Sequence, residues 1–238
     1  MSDLRIGLLQ CGHLHTDLQP SYGDYPEIFS ALLGAHGIEI ATWDVTTGPP
    51  PDATDACDGW LVSGSASSTY DPLPWIAPVE QFLRDVVAEQ APLVAICFGH
   101  QLLAQAHGGR VARAGSGWGV GAHEYHFLTA EGWMEPPHDE PVRLVASHQD
   151  QVVELPDGAQ VIARTDHCPI AAYTLGPAAL AIQPHPEFST AVSRELIERR
   201  RDLIGADRSD DALASLDRPL DQDLVAGWMA TFLRDTAR

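Results

Sequence analysis

Basic charge is scarce in this 238-residue chain: 14 Lys plus Arg stand against 33 Asp plus Glu, a formal charge of −19 at pH 7. A phosphate backbone or an anionic membrane surface repels such a protein at most approaches, so nucleic acid and membrane are not expected partners. The acidic residues are scattered, with one dense cluster around Asp207 to Asp211, and read as a well-solvated surface rather than a cation site. Long apolar runs are missing too. Nothing approaches the roughly 20 apolar residues of a membrane-spanning helix. The start, MSDLRIGLLQCGH, lacks the basic beginning and longer apolar stretch of a secretory signal, which makes the cytoplasm the expected location. Cysteine is sparse: Cys11, Cys57, Cys97 and Cys168 lie far apart with no C-x-x-C pair, against a zinc site or a disulfide framework. Cys11, Cys57 and Cys168 read as small residues packed near strand ends. No internal repeat or low-complexity tract is present, and no cofactor is expected.

What is present is an ordinary globular balance, 45 % apolar and 20 % charged residues, in a chain long enough to bury a substantial core. Nearly all-apolar runs at 4–10, 38–44, 59–64 and 92–97 read as strands buried on both faces of a parallel sheet. Between them, Ile28, Leu32 and Leu33 mark one helical face that ends at Gly37, and Ile76, Val79, Phe82, Val86 and Val87 mark another that closes at Pro92. From about 110 to 183 the pattern changes to seven short β-rich runs separated by Gly, Pro and Asp, expected as hairpins added to the parallel core. Helices are expected at roughly 188–204 and 220–236, the second carrying Leu224, Trp228 and Phe232, with the Asp, Ala and Ser-rich stretch between them a surface connection. The fold class is α/β: a mostly parallel central sheet flanked by helices, in a single domain over 1–238. Its catalytic core would be about 4–204 and its C-terminal helical extension 205–238.

Three segments carry chemistry. In PLVAICFGHQLLAQAHGG a buried strand runs into Cys97 and a helix begins at once, so the thiol sits on a sharp turn at the carboxyl edge of the sheet. Gly99 would relax that turn. The helix N-terminus lowers a thiol pKa, which makes a thiolate nucleophile available. In ALAIQPHPEF an apolar strand ends in His185 with Glu187 two residues on. In extended chain these side chains share a side, so the carboxylate can orient the imidazole as a base, and Pro184 and Pro186 fix the local backbone. In LVSGSASSTYD the small residues after the strand free backbone N–H groups, and Gly64 with the amide of Phe98 would form a two-donor oxyanion hole. A metal reading is weaker: His123 and His126 in HEYHF face opposite sides of a strand, and neither they nor the His13 and His15 pair has a third ligand at a recognisable spacing.

Together these residues resemble the class I, triad-type, glutamine amidotransferases, whose nucleophile motif is G-x-C-x-G-x-Q. Here it stands as AICFGHQ, with HPEF as the later H-P-E motif and SGSASS as the oxyanion loop, in the right order between residues 4 and about 190. The resemblance implies the flavodoxin-like amidotransferase fold and a Cys97–His185–Glu187 site that releases ammonia from glutamine through a γ-glutamyl thioester. It also implies that Gln101 contacts the substrate. SHQDQV is similar to the S-H-x-D-x-V stretch of the amidotransferase domain of GMP synthases, so Ser147, His148 and Asp150 are expected to line or brace the pocket. Ala95 departs from the family's glycine. No synthetase domain follows residue 190, so an ammonia-using partner, if there is one, would be a separate chain. Free-standing relatives also include hydrolases of γ-glutamyl amides and peptides with the same triad, and a non-catalytic regulatory member is the remaining alternative.

Overall fold

The computed structural model describes residues 4–237. The first strands are β1 (Leu4–Gln10), β2 (Ile38–Asp44), β3 (Gly59–Val62) and β4 (Leu93–Ile96), joined through α1 (Gln19–Tyr22), α2 (Tyr25–Gly34) and α3 (Ile76–Ala88). All four strands run parallel, in the spatial order β2-β1-β3-β4. Strands β3 and β4 are buried at every residue, which is why their sequences show no polar alternation. The next elements are α4 (Phe98–Ala106), β5 (Arg110–Arg113), β6 (Gly119–Phe127), β7 (Val142–His148), β8 (Asp150–Glu154), β9 (Ala159–Arg164), β10 (Ala172–Leu175) and β11 (Ala179–Ile182). Strand β11 adds in parallel to β4, and β10, β9, β6 and β7 continue antiparallel from it, giving one nine-stranded mixed sheet. The late β-rich runs therefore extend the main sheet, while β5 and β8 pair as a separate ribbon. Far-edge Val145 on β7 bridges back to His185, just past β11, so this half of the sheet curls on itself.

Alternation along the strands divides the core into two clusters. Ile6, Leu8, Leu61, Val94, Ile96, Leu180 and Ile182 pack on one face with Phe29 and Leu33 of α2. Leu9, Trp60, Val62, Leu93, Ala95 and Ala181 pack on the other with α3 and α4. The α2 face is centred on Tyr25, Phe29 and Leu33 rather than on Ile28 and Leu32. It starts with a capping box, Asp24 and Glu27 reciprocally satisfying backbone donors.

The chain ends in α5 (Thr190–Arg199), α6 (Arg201–Ile204), α7 (Ala206–Ser215) and α8 (Gln222–Thr236). Helix α7 corrects the expected surface connection. Its inward face carries Ser209 and Ala212, too small to show as an apolar stripe in the sequence. Close approach replaces bulk: a Cβ on Gly121 of β6 would stand 2.8 Å from the Ala212 Cα, and the Ala122 N–H donates to Ser215 Oγ. In α8 the buried face is Val225, Trp228, Met229 and Phe232, with Leu224 at its margin. Among the described residues no helix is long and apolar enough to cross a membrane.

Candidate active site

Cys97 occupies the single residue between β4 and α4, with φ 52° and ψ −98°. A residue with a Cβ seldom adopts that conformation, which costs on the order of 1–3 kcal/mol and persists only where the surroundings enforce it. Two hydrogen bonds do so: the Cys97 N–H donates to Ile182 O at 2.8 Å, and Cys97 O accepts from the Gln101 N–H at 3.1 Å. The amides that open α4, Phe98 first, have no intrahelical acceptor. Gly99 is required, but not for the turn. It is helical, and a Cβ there would stand 2.8 Å from Val62 Cβ and 2.9 Å from Val62 O. Its absent side chain lets α4 sit directly on β3. Ala95 packs in the cluster with Val62, Phe98 and Ala181, whereas Cys97 belongs to the cluster on the other face.

His185 and Glu187 are buried at 2 % and 5 % exposure. Chain direction is fixed by the His185 N–H donating to Val145 O at 2.8 Å. Residues 186 and 187 form a turn rather than continuing the strand, yet the turn still delivers Glu187 Oε1 to 2.7 Å from His185 Nδ1. The ring stacks on Phe188 with centroids 4.2 Å apart and planes 7° from parallel. Burial alone pushes the imidazolium down. The charges of Glu187 and Cys97, with side-chain hydrogen bonds to both, outweigh it and hold His185 up at about 10. Among the described residues none donates to the buried Glu187 Oε2.

Gly64 follows β3 where the sheet ends. A Cβ built on it would stand 3.0 Å from His185 Cε1, 3.0 Å from Tyr25 Oη and 3.7 Å from Cys97 Cβ. One point therefore touches the expected oxyanion loop, base and nucleophile, and a tyrosine that motif reading missed. Tyr25 opens α2. Its place is set by Asp24, whose carboxylate accepts from the backbone N–H groups of Leu14 and Tyr25 and from the Gln10 side chain. The available signal was the D-Y-P-E start of that helix, a capping box that fixes the first helical residue. Burial first, then the charges of Glu187 and Cys97, hold the phenol well above its ordinary range, so it keeps its proton.

The remaining expected residues form a second layer. Gln101 Nε2 donates to Asp150 O at 2.8 Å and to Gln183 Oε1 at 3.1 Å. His148 Nδ1 donates to the same Asp150 carbonyl at 3.2 Å. The Asp150 carboxylate accepts from Tyr70 at 3.0 Å and from Ser68 at 2.5 Å, bracing the loop that follows the oxyanion strand. Ser147 Oγ accepts from Arg200 at 2.9 Å. Burial, with the charges of His167, His123 and His185, pushes His148 down to about 3, so its ring is neutral. His123 Nε2 donates to Val120 O at 3.1 Å, and His126 is exposed. Among the described residues no group of three or more His, Cys, Asp or Glu side chains is arranged to hold a metal ion. A cavity of about 590 Å³ between residues 50–55 and α3 shares no residue with this site.

Comparison with known proteins places the chain in a family. Residues 25–201 match the family model described as glutamine amidotransferase class-I. The chain is 30 % identical to gamma-glutamyl peptidase 4 of Arabidopsis thaliana over 75 % of its own length and 74 % of the relative's. It is 33 % identical to a glutamine-hydrolyzing GMP synthase subunit of Methanopyrus kandleri, over 78 % of this chain and 96 % of that one. A crystal structure of a glutamine amidotransferase from Thermotoga maritima superposes with a TM-score of 0.78 at 16 % identity, covering 99 % of both chains, which is a likeness of fold. The cysteine elbow, the H-P-E turn and the residues between them all lie inside the matched region, and the chain belongs to the class I glutamine amidotransferase family.

Proposed function

We propose that Cys97, His185 and Glu187 form a nucleophile, base and orienter that hydrolyse a γ-glutamyl amide, with glutamine as the first substrate. The thiolate attacks the γ-carbonyl carbon, and the resulting oxyanion is held by the amides of Gly64 and Phe98. His185 passes its proton to the leaving nitrogen, the C–N bond breaks, and ammonia leaves a γ-glutamyl thioester that water hydrolyses to glutamate. Gln101, Ser147 and His148 are assigned to the substrate pocket, the first and last bracing it through Asp150. The observation that carries this reading is the paired arrangement of His185, hydrogen-bonded to Glu187 at 2.7 Å and held up at about 10 beside Cys97.

A second reading keeps the machinery and changes the leaving group to the amine of a γ-glutamyl peptide. Its specific support is the gamma-glutamyl peptidase relative, matched over similar shares of both chains. The GMP synthase relative supports the first reading, with a separate synthetase chain as ammonia acceptor. The deciding experiment measures ammonia release from glutamine beside amine release from γ-glutamyl peptides, for wild type and Cys97→Ala. Release from glutamine supports the first reading, and release from the peptides alone supports the second. No release from either, with Cys97 unlabelled by a glutamine-mimicking electrophile, returns the non-catalytic reading.

A further inference from the structure

Tyr25 reaches the convergence point, and the triad chemistry leaves it unused. Its hydroxyl stands as close as His185 Cε1 to the position a Gly64 Cβ would take, 3.0 Å in each case, with Cys97 Cβ 3.7 Å away. The ring stacks with Phe29 and with Phe188, centroids 6.1 and 6.0 Å distant, and Phe188 itself stacks on the His185 ring. The hydroxyl is thereby fixed relative to the base. The Asp24 carboxylate holds the backbone on both sides of it, at Tyr25 and at Leu14.

In the acylation step the leaving nitrogen must face His185 to receive its proton. By microscopic reversibility, the water that later attacks the thioester enters where that nitrogen departed. His185 takes one proton of this water. A second fixed polar group is needed to stop the water rotating, because a single hydrogen bond leaves its lone pair free to turn away from the carbonyl carbon. Resting on the triad reading above, we propose that the Tyr25 hydroxyl is that group and positions the hydrolytic water for deacylation. The water oxygen bonds to the thioester carbon and its proton passes to His185. Collapse of the tetrahedral intermediate breaks the C–S bond, releases the γ-carboxyl product and returns the thiolate to Cys97.

The test is Tyr25→Phe, which keeps the ring and both stacks. Protein is pulsed with glutamine or a γ-glutamyl anilide, chased with buffer, and the γ-glutamyl adduct on Cys97 is followed by intact mass. The adduct is expected to decay about 10- to 100-fold more slowly in the variant, the loss of one oriented hydrogen bond. In the steady state, kcat and KM should fall together and leave kcat/KM within about twofold, because kcat/KM reports acylation alone. Hydroxylamine, a stronger nucleophile than water, should discharge the variant's adduct at close to the wild-type rate. An adduct that decays at the wild-type rate, or an equal fall in kcat and kcat/KM, overturns the assignment to Tyr25. A wild type that releases no product and carries no adduct instead overturns the triad reading.

Discussion

Gly64→Ala adds one carbon at the point where His185, Cys97 and Tyr25 converge. The new Cβ would stand 3.0 Å from His185 Cε1 and from Tyr25 Oη, inside the 3.4 Å at which ordinary contact begins. Something must move by a few tenths of an ångström. The His185 ring has little freedom: its backbone N–H is bonded to Val145, its Nδ1 to Glu187, and its face to Phe188. Backbone strain is absent, because Gly64 is not among the residues of positive φ. Overpacking of this kind costs about 1–3 kcal/mol, which lowers the melting temperature by a few degrees in a chain of this size.

Activity should suffer more than stability. A displacement of about 1 Å at a reacting group can cost about 10²-fold, so a shift of a few tenths predicts kcat/KM lower by about 10-fold or more. The assay pairs thermal unfolding with amide or amine release, and Gly34→Ala serves as the control. A Cβ at Gly34 meets nothing within 4 Å, and alanine in a helix gains about 0.5–1 kcal/mol over glycine. The control should melt higher and turn over normally. Gly64→Ala with kcat/KM within about twofold of wild type would refute the placement of residue 64 against the base.

Three further outcomes follow from the same contacts. Gly99→Ala should destabilise by about 3 kcal/mol or more and lose activity in parallel, because its Cβ meets Val62 backbone as well as side chain; an unchanged denaturation midpoint would contradict this. Glu187→Gln keeps the size and removes the charge that holds His185 up at about 10, so the alkaline limb of the kcat/KM profile should move down from near 10, and an unmoved limb counts against the ion pair. His100 and His148 are pushed down to about 3, chiefly by burial. The unfolded chain therefore binds protons that the folded one refuses between about pH 6.5 and 3, and stability should fall as pH drops through that window; urea midpoints equal at pH 7 and pH 5 would exclude it.

Cys97 and His185 were legible as candidates because each ends an apolar run, and the carboxyl ends of adjacent parallel strands meet at one edge. The seven short β-rich runs were legible for the same reason of patterning. Tyr25 was not, since it comes from a helix cap on another segment and reaches the site through the fold of α2 against the sheet. Gly99 was recognised as necessary for the wrong reason: sequence places it beside a turn, whereas only packing reveals the backbone of Val62 beneath it. Helix α7 escaped because a face of serine and alanine, buried by close approach to Gly121, carries no apolar period.

The curl of the sheet decides whether this site can exist at all. Ile182 of β11 is in register with Ile96 of β4, so Cys97 lies one residue beyond that level and His185 lies three. At about 3.3 Å per residue, an extended continuation would carry the backbone of residue 185 about 10 Å past Ile182, beyond the level of Cys97. The chain does not continue. Val145, on the strand at the opposite edge of the sheet, takes the His185 N–H at 2.8 Å, and the following residues turn back to bring Glu187 behind the ring. The antiparallel half thus sets the height of His185 relative to Cys97, and the four strands that follow β11 in the sheet, ending in β7, belong to the geometry of the candidate site through the Val145–His185 bridge.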